Sequence, residues 1–300
     1  MSESAGTSPA APPAPPQPTP LAFQQLIASS GSFPSQGMKT PPIRYAGMVI
    51  SLGGYTGGFG APNAEGDLLP IDSYGELFTI FGTSYGGDGP RFALPDLGRR
   101  IAVGGSPGDA DGLTLAMSYV IAAAPGGVPV GSVALFSGDF APSGWLPCDG
   151  SGYSQNDYPE LCAAIGTAFG GDGDTFAVPD LKGRAAVGAG TGPGLAPVSL
   201  AESVAGAVPG LGLTMMISYT GLFPPAGGLG AFPESALILG QVTAFAGPTP
   251  PPNWFPCDGR LLPLASYTEL FSMIGGATVG VGDESSFALP DLRGRMMAGL

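Results

Sequence analysis

One phrase is written three times along this chain. It first reads Tyr74-Gly-Glu76-Leu77-Phe78-x2-Phe81-Gly82, followed by Phe92-Ala-Leu94-Pro95-Asp96-Leu97. It returns as Tyr158-Pro-Glu160-Leu161-Cys162…Ile165-Gly166 with Phe176-Ala-Val-Pro179-Asp180-Leu181. The third copy is Tyr267-Thr-Glu269-Leu270-Phe271…Ile274-Gly275 with Phe287-Ala-Leu-Pro290-Asp291-Leu292. A repeat changes the architecture before any single fold is considered. Three tandem copies point to a modular structural protein rather than one large enzyme domain.

Glycine (52) and proline (34) together exceed a quarter of the 300 residues, a level that without a period suggests disorder. Here the periodic aromatics and the 44% apolar content argue for folded, turn-rich modules of about 90–100 residues. Only 11% of residues are charged and the net charge is −13, which disfavours nucleic acid or an anionic membrane surface as partner. The longest nearly uncharged apolar stretch, Leu113 to Ala124, is too short to cross a bilayer as a helix, so no membrane insertion is expected. Residues 1–20 lack the basic and apolar regions of a signal peptide. With six prolines between Pro9 and Pro18, they read as a disordered, extended Pro/Ala-rich tail. Three cysteines make no disulfide framework. Cys148 and Cys257 stand where the first copy has Ala64, and Cys162 stands where the other copies have Phe78 and Phe271. All three read as buried thiols.

Each copy predicts one helix. Ser73…Glu76, Asp157…Glu160 and Ser266…Glu269 have the spacing of a capping box. Tyr74, Leu77, Phe78 and Phe81, with Tyr158, Leu161, Cys162 and Ile165, and Tyr267, Leu270, Phe271 and Ile274, form apolar stripes on helices over 74–81, 158–165 and 267–274. Gly82, Gly166 and Gly275 sit where a left-handed C-terminal cap is wanted. Alternating strand-like stretches precede the helices at Met48–Leu52, Ser132–Phe136 and Gln241–Phe245. A Pro/Gly loop with Trp145 or Trp254 follows in copies two and three, and the glycine-rich segment Gly53–Gly60 in copy one.

A second strand phrase follows the cores. Leu113-Thr-Leu-Ala-Met-Ser-Tyr119 recurs as Leu213-Thr-Met-Met-Ile-Ser-Tyr219, and nothing comparable follows the third core before Leu300. Leu21–Ser35 aligns without gaps against Leu211–Pro225, anchored by Gly31-x-Phe33-Pro34 and Gly221-x-Phe223-Pro224. The order is therefore strand then core, three times, with a spare strand at the N-terminus and an open third core at the C-terminus. That strand can close a pseudo-threefold ring within one chain. It can instead complete the next subunit and build a filament, the alternative favoured for a chain with so few charges.

The phrases Trp145-x2-Cys148-Asp149-Gly150 and Trp254-x2-Cys257-Asp258-Gly259, the turns Tyr85–Gly89 and Phe169–Gly173, and Pro179–Arg184 and Pro290–Arg295 resemble the phage tail-collar domain. This is the module of short tail fibres and of bacterial microcystin-dependent proteins. The resemblance covers all three cores and implies a structural or adhesive fibre part, often trimeric. Two departures touch what it implies. Histidine-bearing loops bind metal in some relatives, yet this chain has no histidine and its first such connection is cut to Gly104–Gly112. In copy one, Ala64-Glu65-Gly66 replaces Cys-Asp-Gly, the tryptophan is missing, and Gly98-Arg99-Arg100 replaces Lys/Arg-Gly-Arg.

Asp96, Asp180 and Asp291, each four residues before Arg100, Arg184 and Arg295, could be read as an acid with an oxyanion clamp. A carboxylate holding turn amides and pairing with arginine is the plainer role. The Gly-Gly-Asp-Gly turns offer too few oxygen ligands for calcium, and without histidine there is no Ser-His or Cys-His nucleophile. Trp145 and Trp254 fit buried anchors better than sugar platforms.

The expectation is an α+β, mainly β and loop chain with a disordered tail (1–20) and three collar-like modules (21–112, 113–210, 211–300), each with one short helix, in a pseudo-threefold arrangement. It is a non-enzymatic structural subunit of an extracellular fibre, filament or virion tail, self-assembling through strand donation by its N-terminal segment. Alternatives are an adhesin binding carbohydrate or a receptor, and a carboxylate-dependent glycan hydrolase. Neither cofactor nor metal is expected. The partners are the chain itself, as homopolymer or pseudo-trimeric ring, other collar-domain proteins, and, for the adhesin, a cell-surface glycan.

Overall fold

A computed structural model describes residues 18–29, 44–54, 62–126, 128–222, 237–275 and 285–300. The tail up to residue 17, the glycine-rich segment beyond Gly54, and the Gly31/Phe33/Pro34 and Phe223/Pro224 anchors lie outside that description, though Gly221 is inside it.

The chain is mainly β with a few short helices. It opens with β1 (Thr19–Ile27), then β2 (Val49–Leu52), β3 (Leu68–Pro70), α1 (Gly75–Phe81), β4 (Arg91–Ala93), β5 (Ile101–Gly104) and β6 (Thr114–Ala122). The middle of the chain supplies β7 (Ser132–Phe136), β8 (Trp145–Pro147), β9 (Gly152–Ser154), α2 (Pro159–Ile165), β10 (Thr175–Ala177), β11 (Ala185–Gly188), β12 (Ser203–Val204) and β13 (Gly210–Ser218). The last repeat holds β14 (Gln241–Phe245), β15 (Trp254–Pro256), β16 (Leu261–Pro263), α3 (Thr268–Ile274), β17 (Ser286–Ala288) and β18 (Arg295–Gly299).

The helical stripes pack inward. Leu77, Leu161 and Leu270 are at most 1% exposed, with Phe81, Ile165 and Ile274 buried beside them. Phe81 meets Phe92 edge-on at 5.5 Å, and Phe271 lies 5.4 Å from Phe287, so each of these helices seats on the phenylalanine that opens its Pro-Asp-Leu phrase. Burying one such leucine contributes about 1.5–3 kcal/mol.

The helix ends differ from expectation. The capping residues are Tyr74, Tyr158 and Tyr267, none with a side-chain cap bond. In the first repeat the Ser73 amide, which a capping box would have given to Glu76, donates instead to Pro70 O, as does the Tyr74 amide. Gly82 and Gly166 have positive φ, but Gly275 has φ −46° and ends its helix without a left-handed step. The stretches expected to alternate do not. All of β2 is buried, as is nearly all of β7 and β14, because these strands lie between other strands and core on both faces.

Three long strands tie the repeats together. The first half of β6 runs parallel to β5 (Ile101↔Thr114), while its second half runs antiparallel to β7 (Ile121↔Val133) and β8 (Ala122↔Trp145). Strand β13 does the same, parallel to β11 (Ala185↔Gly210) and then antiparallel to β14 (Ile217↔Val242) and β15 (Ser218↔Trp254). Strand β1 runs parallel to β18 (Thr19↔Arg295 to Phe23↔Gly299) and then antiparallel to β2 (Ile27↔Val49). The expected spare strand is thus not spare here: it begins at Thr19 and completes the third core of its own chain.

Glycines make the crossings between repeats possible. A Cβ on Gly104 would lie 2.1 Å from Leu181 O, one on Gly188 1.9 Å from Leu292 O, and one on Gly299 2.1 Å from Leu97 O. The first strands also meet, β14 pairing with β2 and with β7. One connected cluster of buried apolar side chains, including Leu77, Leu161 and Leu270, runs through all three repeats.

Candidate functional site

The repeated polar residues build one backbone corner in each repeat. Glu65 bridges Asp96, Asp149 bridges Asp180, and Asp258 bridges Asp291, all antiparallel. The Leu97, Leu181 and Leu292 amides donate to Ala64 O, Cys148 O and Cys257 O at 2.7, 3.0 and 2.8 Å. The glycine of each Cys-Asp-Gly or Ala-Glu-Gly phrase turns the chain there with φ of 75–78°. A Cβ on Gly66, Gly150 or Gly259 would lie 3.0–3.2 Å from the Cβ of Asp96, Asp180 or Asp291. Positive φ and close approach both call for glycine at these positions.

The aspartates sit inside these corners. Asp96 accepts from Gly98 N at 3.1 Å and from Arg100 Nη1 at 2.6 Å. Asp180 accepts from Lys182 N at 3.2 Å and from Arg184 Nη1 at 3.4 Å. Arg100 and Arg184 each also donate to the backbone oxygen of their aspartate at 3.1 Å. In the third repeat the pairing changes. Asp291 receives Arg293 Nε at 2.9 Å and Nη2 at 2.8 Å, whereas Arg295 donates to Thr19 Oγ1 at 2.7 Å. The side-chain bond from Arg293 holds the Asp291 carboxyl below its ordinary value against the opposing effect of burial.

Trp145 and Trp254 are 6% and 5% exposed and open β8 and β15. Cys148 and Cys257 are buried, and burial pushes both thiols up; Cys162 is half-buried.

A concavity of 870 Å³ lies between the first two repeats. Tyr119, Phe140, Trp145, Asp149 and Lys182 border it, with the backbone of Gly104–Pro107 as one rim. Tyr119 donates its hydroxyl to Ala102 O at 3.1 Å, and burial pushes that hydroxyl's pKa up. Burial also raises Asp149, but Ser151 and the Lys182 ammonium at 3.7 Å outweigh it and leave the carboxyl below its usual range. The short connection after β5 runs along this rim and is pinned beyond it: Gly108 packs so tightly on Ser84, itself part of the lining, that a Cβ would lie 1.8 Å from Ser84 O.

The sequence residues Asp96, Asp180 and Asp291 therefore occupy three separate corners, and of the singled-out residues Trp145 and Cys148 border the groove. Asp149 and Lys182 belong to it as well. Their signal was the Cys-Asp-Gly and Pro-Asp-Leu-Lys phrases, which share a place once the bridge from Asp149 to Asp180 is drawn. Among the described residues no cluster of three or more potential metal ligands occurs, and no helix is long and apolar enough to cross a membrane.

The family model described as Phage Tail Collar Domain matches residues 47–102, 131–186 and 240–297, together more than half of the chain. The short tail fiber protein gp12 of Enterobacteria phage T4 is 35% identical to this chain over 66 residues, 22% of this chain. The match covers only 12% of that protein's length. No solved structure matches the chain.

Proposed function

The chain belongs to the phage tail collar domain family, and we propose that it is a non-enzymatic structural subunit of a phage tail fibre, placed in the virion tail. The observation that carries this reading is the corner built three times from the same residues, each aspartate engaged by backbone amides and an arginine. A carboxylate so occupied is a scaffold element and not a free acid. The likeness to a short tail fibre protein supports the same setting.

The pairing of the long strands supports a finer reading. We read the three repeats as a pseudo-threefold assembly within one chain, each long strand closing one module and opening the next. We keep the module boundaries at 112/113 and 210/211, beside the first residues of β6 (Thr114) and β13 (Gly210), and read the modules as interlocking through those strands. Donation of β1 to another subunit's β18 would reuse the register Thr19↔Arg295 to Phe23↔Gly299 and is the swapped form of the same closure.

The test is to probe purified particles with an antibody against the chain under negative stain, alongside mass spectrometry of isolated tails. Labelling at the tail tip or along a fibre is expected; a chain absent from particles overturns the assignment.

A further inference from the structure

The corner that borders the groove has an internal counterpart that is covered. In the third repeat, Gly190–Val198 pass over Arg293 and Gly294: a Cβ on Gly192 would lie 2.2 Å from Arg293 O, and one on Gly294 would lie 3.3 Å from Ala196 O. Gly190 and Val198 close this cover with reciprocal amide bonds of 2.7 and 3.0 Å. Lys182 and Gly183 hold the same places in the second repeat, and among the described residues no such peptide passes over them. Nothing lies within 4 Å of a Cβ placed on Gly183, and the Lys182 side chain is 69% exposed against 34% for Arg293.

The covering peptide reads Gly190-Thr-Gly-Pro193-Gly-Leu-Ala-Pro197, and the N-terminal segment reads Gly6-Thr-Ser-Pro9-Ala-Ala-Pro-Pro13. The two align without gaps, sharing Gly-Thr, the following proline and the last proline. Both are uncharged. Proline-rich segments enter such sites with little entropy to lose, and aromatic walls such as Tyr119, Phe140 and Trp145 suit them. The first repeat offers a poorer seat. Its corner carries Arg99 at φ 57° where Gly183 and Gly294 stand, which puts a side chain where the covering peptide passes.

We propose that the groove between the first two repeats is the docking site for Gly6–Pro13 of a second copy of this chain. Thr19, where that segment joins the fold, is anchored at Arg295 in the third repeat, and neither residue lines the groove. A tail that leaves one molecule there and seats between the first two repeats of another links subunits head to tail, while β1 stays in its own chain. The proposal rests on the fibre reading and names its contact.

The test pairs the full chain with a form lacking residues 1–17, which removes nothing from β1. Sedimentation should show concentration-dependent association of the full chain and a monomer for the shortened one. A synthetic peptide of residues 5–18 should bind the shortened form in calorimetry and shift the tryptophan emission of a Trp254→Phe background, in which Trp145 alone reports. Phe140→Ser and Lys182→Glu should weaken peptide binding by about tenfold or more, measured well below each variant's own thermal midpoint, since Phe140 also packs edge-on against Phe136 and Lys182 pairs with Asp149. A peptide that fails to bind overturns the proposal. So does a full chain that stays monomeric while its own tail blocks added peptide. Binding of a surface oligosaccharide in place of the peptide also overturns it and makes the groove an adhesin site. Loss of peptide binding with tail labelling intact removes the contact alone; peptide binding by a chain absent from particles removes the fibre setting alone.

Discussion

At the corner of each repeat a single glycine lets an acidic strand lie against Pro-Asp-Leu. Gly150 combines φ 78° with a 3.0 Å approach to Asp180 Cβ, so Gly150→Ala should cost about 1–3 kcal/mol in denaturant unfolding. An unchanged midpoint would mean the corner yields freely. The aspartates add a pH dependence. Arg293 holds Asp291 below its ordinary value, so its stabilisation is fully present above the ordinary carboxylate range and is lost as the pH falls below about 4 through the folded value. The thermal midpoint should drop on acidification there, and Asp291→Asn should flatten the drop. Asp149 and Asp258 are lowered too and should leave a residual slope. Cys148 and Cys257 should resist alkylation of the folded chain, with half-buried Cys162 reacting first in a mass-resolved time course. The Asp–Arg spacing of four was legible in the sequence for Asp96 and Asp180. It misled at Asp291, because position 293 carries an arginine, where 182 is lysine and 98 glycine, and Arg295 is drawn off by a strand from the other end of the chain.

Among elements, the helices were legible because their stripes answer to local periodicity. What the long strands do was not. Leu113–Tyr119 and Leu213–Tyr219 announce strands, but β6 runs on to Ala122 while β13 begins early at Gly210, and each divides its edge between two repeats. That division depends on partners such as Trp145 and Trp254 that local spacing does not reveal. The alternation expected in β2, β7 and β14 failed for a related reason, since strands enclosed on both faces have no solvent side to mark. The crossings can be broken one at a time. Gly188→Val would drive a side chain against Leu292 O and should destabilise by about 2–4 kcal/mol. The same change at Gly112, where a Cβ meets nothing within 4 Å, should cost under about 0.5 kcal/mol. Equal effects in chemical denaturation would refute a tight crossing.

For the whole molecule, strands shared between repeats forbid independent melting. Each repeat lends a hydrogen-bonded edge to the next, and one apolar cluster spans all three. Calorimetry should therefore give a single transition whose van't Hoff and calorimetric enthalpies agree; three separable peaks would mean beads on a string. Removing residues 1–27 should broaden and lower that transition, since β18 and β2 both lose a partner, whereas removing 1–17 should leave it in place.

The two ends of the fold lie side by side: Thr19 pairs with Arg295, and the Leu300 amide donates to Phe23 O at 3.1 Å. The join between β18 and β1 has the same parallel geometry as the one between β5 and β6, which residues 105–113 span as a covalent loop. Nothing in the pairing then marks one of these joins as the place where the polypeptide must be cut. A circular permutant, closed from Leu300 to Thr19 by a linker as long as residues 105–113 and reopened at Gly112, should fold to the same sheet with a similar melting temperature.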